Sequence, residues 1–252
     1  MCDDGKSHNG GSDSLPGSIR RVRRPRTAAA RTYDRLGARY DTIASAERPY
    51  VNEGIEVLDA LSGESVLEIG FGTGRALVKL AEAVGEEGRV CGIDISSEMV
   101  TVARRRLVDL GLAERTELVK GDAVRLPYRS GRFDAVFTSF TLELFDTPQI
   151  GVVLHECMRV LRRHGRICVV SLSSEGGPYP VRRLYEWIHD LVPRLIDCRP
   201  IYAARMMEQC GFRLSEVIRR RMWGLPVEVV LADRPAHRSR ATELIAGTDA
   251  GS

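Results

Sequence analysis

The sequence predicts an α/β fold, a doubly wound sheet of about seven mostly parallel strands with an antiparallel closing strand and helices on both faces. Three observations carry this. From Ser65 onward, apolar runs of strand length alternate with amphipathic helical stretches, the pattern of a parallel sheet with crossover helices. A glycine-rich turn, Glu68-Ile69-Gly70-Phe71-Gly72-Thr73-Gly74, joins the first strand to the helix after it. Two carboxylates, Asp94 and Asp122, then stand where the second and third strands end.

Taken in order, strand one spans Ser65 to Gly70. The next helix places Leu77, Leu80, Ala81 and Val84 on one face and stops at Gly85. Strand two is Arg89 to Ile95. The helix after it starts at Ser96 or Ser97 and stops at Gly111, strand three is Glu117 to Lys120, and strand four is Phe133 to Ser139. Asp146-Thr147-Pro148 combines a capping residue with a proline at the first helical position, with Ile150, Val153, Leu154, Cys157 and Leu161 as the buried stripe and Gly165 as the stop. Strand five is Arg166 to Leu172, and a helix runs from about Pro200 to Cys210. Phe212 to Arg220 and Val227 to Ala232 form a closing strand pair.

A chain of 252 residues that is 43% apolar holds one large domain with tails. Residues 1–30 read as a disordered basic tail, 31–232 as the domain, 173–199 as a lid-like insertion and 233–252 as a polar tail. The first 31 residues hold seven basic and three acidic side chains, +4, which leaves −1 for the rest of a chain whose net charge is +3. The positive charge is thus in the tail, around Arg20-Arg21-Val22-Arg23-Arg24-Pro25-Arg26, which reads as solvated. The six cysteines include no C-x-x-C and read as reduced structural thiols; no metal ligand set is read. No apolar run approaches the ~20 residues that span a bilayer, and a cytoplasmic location is expected.

The glycine spacing selects among nucleoside cofactors. A dinucleotide fingerprint reads G-x-G-x-x-G and lays a pyrophosphate over the helix start. Here the spacing is G-x-G-x-G, and Glu68 would face the anionic pyrophosphate. A carboxylate there suits a cationic ligand, and S-adenosylmethionine has a sulfonium, an ammonium and no phosphate. Asp94 can accept both ribose hydroxyl protons, and Asp122 the adenine amino group.

With these residues in place, the chain resembles the class I S-adenosylmethionine-dependent methyltransferases over roughly residues 31 to 232, with Phe133-Asp134-Ala135-Val136 as a further matching motif. Glu156-Cys157-Met158-Arg159-Val160-Leu161-Arg162-Arg163-His164-Gly165-Arg166, Tyr33-Asp34 and Tyr40-Asp41 resemble segments of the ubiquinone/menaquinone-biosynthesis group. The resemblance implies a Rossmann-like fold and a cofactor site of Tyr33, Tyr40, Glu68, Gly70, Phe71, Gly72, Gly74, Asp94, Ile95, Asp122, Ala123 and Ser139. It also implies S-adenosylhomocysteine as product and a small, aromatic or lipid-like, quinone-like acceptor. Two departures stand out. Arg163-His164-Gly165 replaces the group's Pro-Gly-Gly, and Val170-Ser171-Leu172-Ser173 lacks its acidic E-x-S.

Methyl transfer is an in-line displacement that needs positioning more than a covalent nucleophile. Thr141, Glu143 and Asp146 follow strand four, at the edge where open α/β sheets bind ligands, and Glu143 is a candidate general base. His189, on the polar face of the insertion, could reach an acceptor beneath a closed lid. The insertion spaces Val181, Leu184, Tyr185 and Ile188 along one face, so it reads as a packed helix or as a lid that dips into a membrane surface. No Asn/Asp-Pro-Pro-Tyr ends strand four, which disfavours nucleobase amine methylation and leaves a nucleic-acid partner resting on the arginine tail. A non-catalytic cofactor-binding scaffold, an RNA methyltransferase and a nicotinamide oxidoreductase are the competing readings. No oligomeric state is read.

Overall fold

The computed structural model describes residues 44–175 and 199–236. Tyr33, Tyr40, His189, the 1–30 tail, most of the 173–199 insertion and residues 237–252 lie outside the described residues. Among the described residues seven strands form one sheet: β1 (Ser65–Ile69), β2 (Arg89–Asp94), β3 (Thr116–Lys120), β4 (Phe133–Ser139), β5 (Leu161–Leu172), β6 (Arg213–Met222) and β7 (Leu225–Asp233). Their order is β3-β2-β1-β4-β5-β7-β6. The strands from β3 to β5 pair in parallel, and β7 runs antiparallel between β5 and β6. The chain reverses its direction of winding between β1 and β4, and the carboxyl ends of β1, β2 and β4 frame a crevice there.

Among the described residues five helices cover the sheet: α1 (Arg48–Leu58), α2 (Arg75–Val84), α3 (Ser97–Asp109), α4 (Thr147–Val160) and α5 (Ala203–Gln209). Residue alternation along each strand sorts the core into two layers. Val66, Val90, Ala135, Phe137 and Val170 face α1, α2 and α3, meeting Leu58, Leu77, Leu80, Ala103 and Leu107. Leu67, Ile93, Val136, Ile167 and Val169 face α4 and α5, meeting Ile150, Val153, Leu154, Cys157 and Met207. All of these side chains are buried, each burial contributing roughly 1.5–3 kcal/mol for a large aliphatic. Cys91, Cys157 and Cys168 are buried free thiols, and Cys210 is half-buried and free.

The helix boundaries follow local chemistry. Ser96 caps α3 by accepting from the Met99 N–H at 3.2 Å, and Asp146 caps α4 by accepting from Thr147 at 3.1 Å. Helix α2 stops at Gly85, whose φ is 67°.

Three features differ from expectation. Helix α4 ends at Val160 and not at Gly165, because the Arg159 and Val160 carbonyls accept from the N–H groups of Gly131 and Arg132 (3.0 and 2.7 Å). Leu161 is therefore already in β5 opposite Phe133, and a register shift follows before Arg166 pairs with Ala135. Within that stretch His164 takes the left-handed conformation at φ 62°, while Gly165 is needed for space: a Cβ there would lie 2.9 Å from the Asp134 carbonyl. Second, α5 is shorter than expected, and the closing strands are longer, meeting in a two-residue turn at Trp223-Gly224. Third, the sequence reading had no counterpart of α1. It crosses β4, β5 and β7 at close range, because a Cβ on Gly54 would lie 2.4 Å from Val170 Cγ2.

Candidate active site at the carboxyl edge of the sheet

The cleft opens over the ends of β1, β2, β3 and β4, where Gly70, Asp94, Asp122 and Ser139 line it. Its first wall is the glycine turn. Gly70, Gly72 and Gly74 have φ of 71°, 51° and 78°, a region in which side-chain-bearing residues are strained. Space is equally short: a Cβ on Gly70 would sit 2.2 Å from Thr141 Oγ1, and one on Gly74 2.7 Å from the Ala103 methyl of α3. Gly70 thus lets the β4 loop close against β1, while Gly74, the N-cap of α2, lets α3 pack on the turn.

Asp94 terminates β2 and ties the site together. Its Oδ2 accepts from the Gly72 N–H and its Oδ1 from the Ser96 N–H, both at 2.9 Å. Each carboxylate oxygen has a second lone pair, so the group can hold the turn and still accept from a ligand hydroxyl. Asp122, just past β3, accepts from the Val124 N–H at 3.1 Å and is fixed by that turn. Behind the glycine wall, Glu68 is 2% exposed and its Oε2 has no hydrogen-bond partner among the described residues. Burial, with the Asp94 charge adding, pushes the Glu68 carboxyl up to about 8. No lysine or arginine lines the cleft among the described residues. The field is thus negative, and it suits a cation and repels phosphate.

The structure sorts the expected cofactor residues into two groups. Gly70, Gly72, Asp94, Ile95, Asp122, Ala123 and Ser139 line the cleft. Glu68, Phe71 and Gly74 stand behind it; Phe71 is buried in the core, 2.7 Å from where a Cβ on Gly92 would lie.

The remaining wall includes residues that the sequence reading did not single out: Met99, Phe140, Leu144 and Phe145. Phe140 is left-handed at φ 46° and donates its N–H to the Val170 carbonyl at 2.8 Å, which turns the chain off β4 and into the cleft. Only the apolar character of 140–145, following a strand end, pointed to this wall.

Glu143 does not stand on the cleft wall where a general base would be expected. It lies in the 3-10 turn Leu142–Leu144, fully buried, with Oε1 accepting from the Leu172 N–H at 2.8 Å and Oε2 without a partner among the described residues. Burial pushes its carboxyl up to about 8; Glu47 adds to the rise, while the Leu172 N–H and Arg199 oppose it. The side chain joins the loop after β4 to the end of β5. Arg199 reinforces this corner, donating to the Phe145 carbonyl at 2.7 Å and to Thr147 Oγ1 at 3.2 Å.

Residues 66–165, which contain every described element of this cleft, match the family model described as methyltransferase domain. These residues are thus similar to a methyltransferase domain. The demethylmenaquinone methyltransferase of Oceanobacillus iheyensis is 31% identical over 147 residues, covering 56% of this chain and 60% of that protein. The ubiquinone/menaquinone biosynthesis C-methyltransferase of Hahella chejuensis is 33% identical over 155 residues, 59% of this chain and 61% of its own length. The chain thus spans about 60% of the length of these relatives. A S-adenosylmethionine-dependent methyltransferase from Aquifex aeolicus shares the fold with a TM-score of 0.58 at 22% identity, covering 81% of this chain and 97% of that one.

The likeness to methyltransferases implies S-adenosylmethionine as cofactor, and the residues present fit it. The glycine wall leaves no room for a Cβ at Gly70, and the unpartnered Glu68 oxygen gives a cationic ligand a buried counter-charge. Among the described residues no helix is long and apolar enough to cross a membrane.

Proposed function

We propose that the chain transfers a methyl group from S-adenosylmethionine to a small aromatic or lipid-like acceptor, of the quinone-precursor class that its relatives' names give. The observation that carries the reading is the paired carboxylates, Asp94 on the cleft and Glu68 behind a glycine wall, in a site that no basic side chain lines among the described residues. The bound cofactor supplies a methyl group on a sulfonium, activated for displacement. The protein's part is to hold, orient and desolvate.

In this reading Asp94 accepts from the ribose hydroxyls, Asp122 from the adenine amino group, and Glu68 with the Gly70 carbonyl balances the cationic end. Gly72 and Gly74 keep the backbone close, and Ile95, Ala123 and Ser139 pack the flanks. Tyr33 and Tyr40 are assigned to the closing wall and His189 to proton removal from a phenolic acceptor. Glu143 is assigned the role of a brace: its bond to Leu172 would hold Leu144 and Phe145, the apolar wall on which an aromatic ring would lie. The domain boundaries of 31–232 and a cytoplasmic location belong to the same proposal.

Incubating the full chain with S-adenosylmethionine and a reduced naphthoquinol lacking the ring methyl tests it. Mass spectrometry should find the singly methylated product, and its formation should fall in Phe145→Ala. Turnover of polar amines with no turnover of quinols or phenols would reject the acceptor class.

A further inference from the structure

The hairpin between β6 and β7 carries a side chain used by neither the core nor the cleft. Trp223 is 79% exposed, more than any other large apolar residue among the described ones. Its backbone is left-handed at φ 52°, and Gly224 follows at φ 85°. Met222 pairs with Leu225, so these two residues make a turn with positive φ at both positions, which favours Asn-Gly or Asp-Gly. A bulky aromatic is a poor occupant there, and such outliers concentrate where function retains them. The tip is firmly held. Met222 and Leu225 are buried, and the Tyr50 hydroxyl donates to the Arg221 carbonyl at 2.7 Å.

Its place in the fold matters as much as its exposure. Leu172, the last residue of β5, and Arg220 of β6 both stand opposite Val227. The turn therefore rises two residues beyond β5, about 7 Å, at the same edge as the cleft. It lies between two and three strand spacings from β4, roughly 12 Å. Arg219, Arg220 and Arg221 lead up to it, all exposed. Arg219 pairs with Glu228 and Arg220 with Glu53, while Arg221 makes no ion pair among the described residues. Charges on this outer strand block edge-to-edge pairing. That accounts for the arginines and leaves the tryptophan unexplained.

We propose that the Trp223 turn is a contact for an anionic lipid surface, with the indole at headgroup depth and Arg221 against headgroup phosphate. Tryptophan partitions to that depth because its ring is apolar and its N–H polar, and adjacent basic residues add attraction to anionic leaflets. The inference rests on the lipid-like acceptor reading, since contact at this edge turns the cleft toward the bilayer that would hold such an acceptor. A protein partner fits less well. A stable interface covers about 800 Å² per partner around an apolar centre, whereas here one ring protrudes among arginines.

The test uses the full chain with Trp187→Phe, so that emission reports Trp223 alone, and vesicles of phosphatidylglycerol and phosphatidylcholine or of phosphatidylcholine only. Anionic vesicles should shift the emission to the blue and co-sediment the protein, both diminishing with salt. In the wild-type background, Trp223→Asn should lower partition about tenfold and Arg221→Ser about fivefold. Asparagine suits the turn, so the thermal midpoint of Trp223→Asn should hold or rise, which separates lost contact from lost folding. An emission that vesicles leave unmoved, or unchanged partition in Trp223→Asn, overturns the proposal. So does a dimer in sedimentation velocity that Trp223→Asn dissociates, which would assign the ring to a second copy. Transfer to a water-soluble hydroquinone is measured without vesicles; if it persists while vesicle binding fails, this inference falls and the acceptor reading stands.

Discussion

Asp94 Oδ2 accepts the Gly72 N–H at 2.9 Å, so the carboxylate that ends β2 also sets the conformation of the glycine turn that follows β1. A second bond from Ser96 to Oδ1 fixes the same side chain against the start of α3. The two adjacent strands and both helix starts around the cleft are thereby organised before any ligand arrives. A charge-assisted pair of this kind contributes on the order of 1.5–3 kcal/mol per bond. The rigidity is that of a preorganised binding site.

The closeness of Gly70 to Thr141 can be separated from its backbone conformation. Gly63 has φ 84° with nothing within 4 Å of an added Cβ, whereas at Gly70 the methyl would meet Thr141 at 2.2 Å. Gly63→Ala should therefore cost only the left-handed strain, about 1 kcal/mol. Gly70→Ala should cost more than that and also abolish cofactor binding. Denaturant unfolding of the two variants, with ligand titration, checks both; equal losses of stability would mean that the Thr141 contact yields freely.

Glu143 gives a pH signature. Its carboxyl is raised from 4.5 to about 8, so between those values the folded chain keeps a proton that the unfolded chain releases. The native state binds more protons there, and stability falls as pH rises through that window. Glu68, raised to about 8, and Glu47, raised to about 7, act in the same direction. Glu143→Gln retains an acceptor for the Leu172 N–H and cannot ionise, so its urea midpoint should decline less than that of the wild type as pH rises from about 5 to 8. An identical slope would show that Glu143 does not titrate in this way.

Ligand charge should couple to Glu68. With the carboxyl at about 8 in the free protein, it is mostly protonated at neutral pH. A cation nearby favours its ionised form, so S-adenosylmethionine binding should release a proton near pH 7 and tighten as pH rises. Calorimetric titrations in buffers of different ionisation enthalpy count that proton, and Glu68→Gln should remove it. Equal heats in all buffers for the wild type would refute the coupling.

His164 occupies a left-handed position at φ 62° on an exposed turn. His164→Gly should relieve that strain and raise stability by about 0.5–1 kcal/mol, after the entropy that glycine adds to the unfolded chain. Thermal unfolding measures it, and a lower midpoint would mean that the imidazole makes contacts worth more than the strain.

Much of this fold could be read before any coordinates. The strands from Val66, Val90 and Phe133 are near-continuous apolar runs buried on both faces, and Ser96, Asp146 and Gly85 mark helix ends by chemistry that acts within a few residues. What escaped depends on distant partners. The early start of β5 follows from the pairing of Leu161 with Phe133 and of Arg132 with Val160, which no local pattern of Arg162, Arg163 and His164 discloses. Helix α1 had a legible stripe in Val51, Ile55 and Leu58 between Pro49 and Asp59, but its tight seat on Val170 depends on a glycine, Gly54, that locally reads as a helix breaker. In the site, the positions of Gly70, Asp94 and Asp122 on the cleft were legible because all three sit at strand ends. Phe71 and Glu143 were not, because whether a side chain beside a strand end turns toward the cleft or into the core is decided by what packs against it: Gly92 for the one, Leu172 for the other.

In the proposed function this cleft binds S-adenosylmethionine through Glu68 and Asp94, the carboxylates near the ends of β1 and β2. Isothermal titration of the full chain with S-adenosylhomocysteine, with NADH as control and Asp94→Ala as the variant, tests it most directly. Saturable binding of S-adenosylhomocysteine alone is expected, weakened about tenfold to a hundredfold in Asp94→Ala by loss of one charge-assisted hydrogen-bond pair. Binding of NADH in its place, or wild-type affinity in Asp94→Ala, would contradict it.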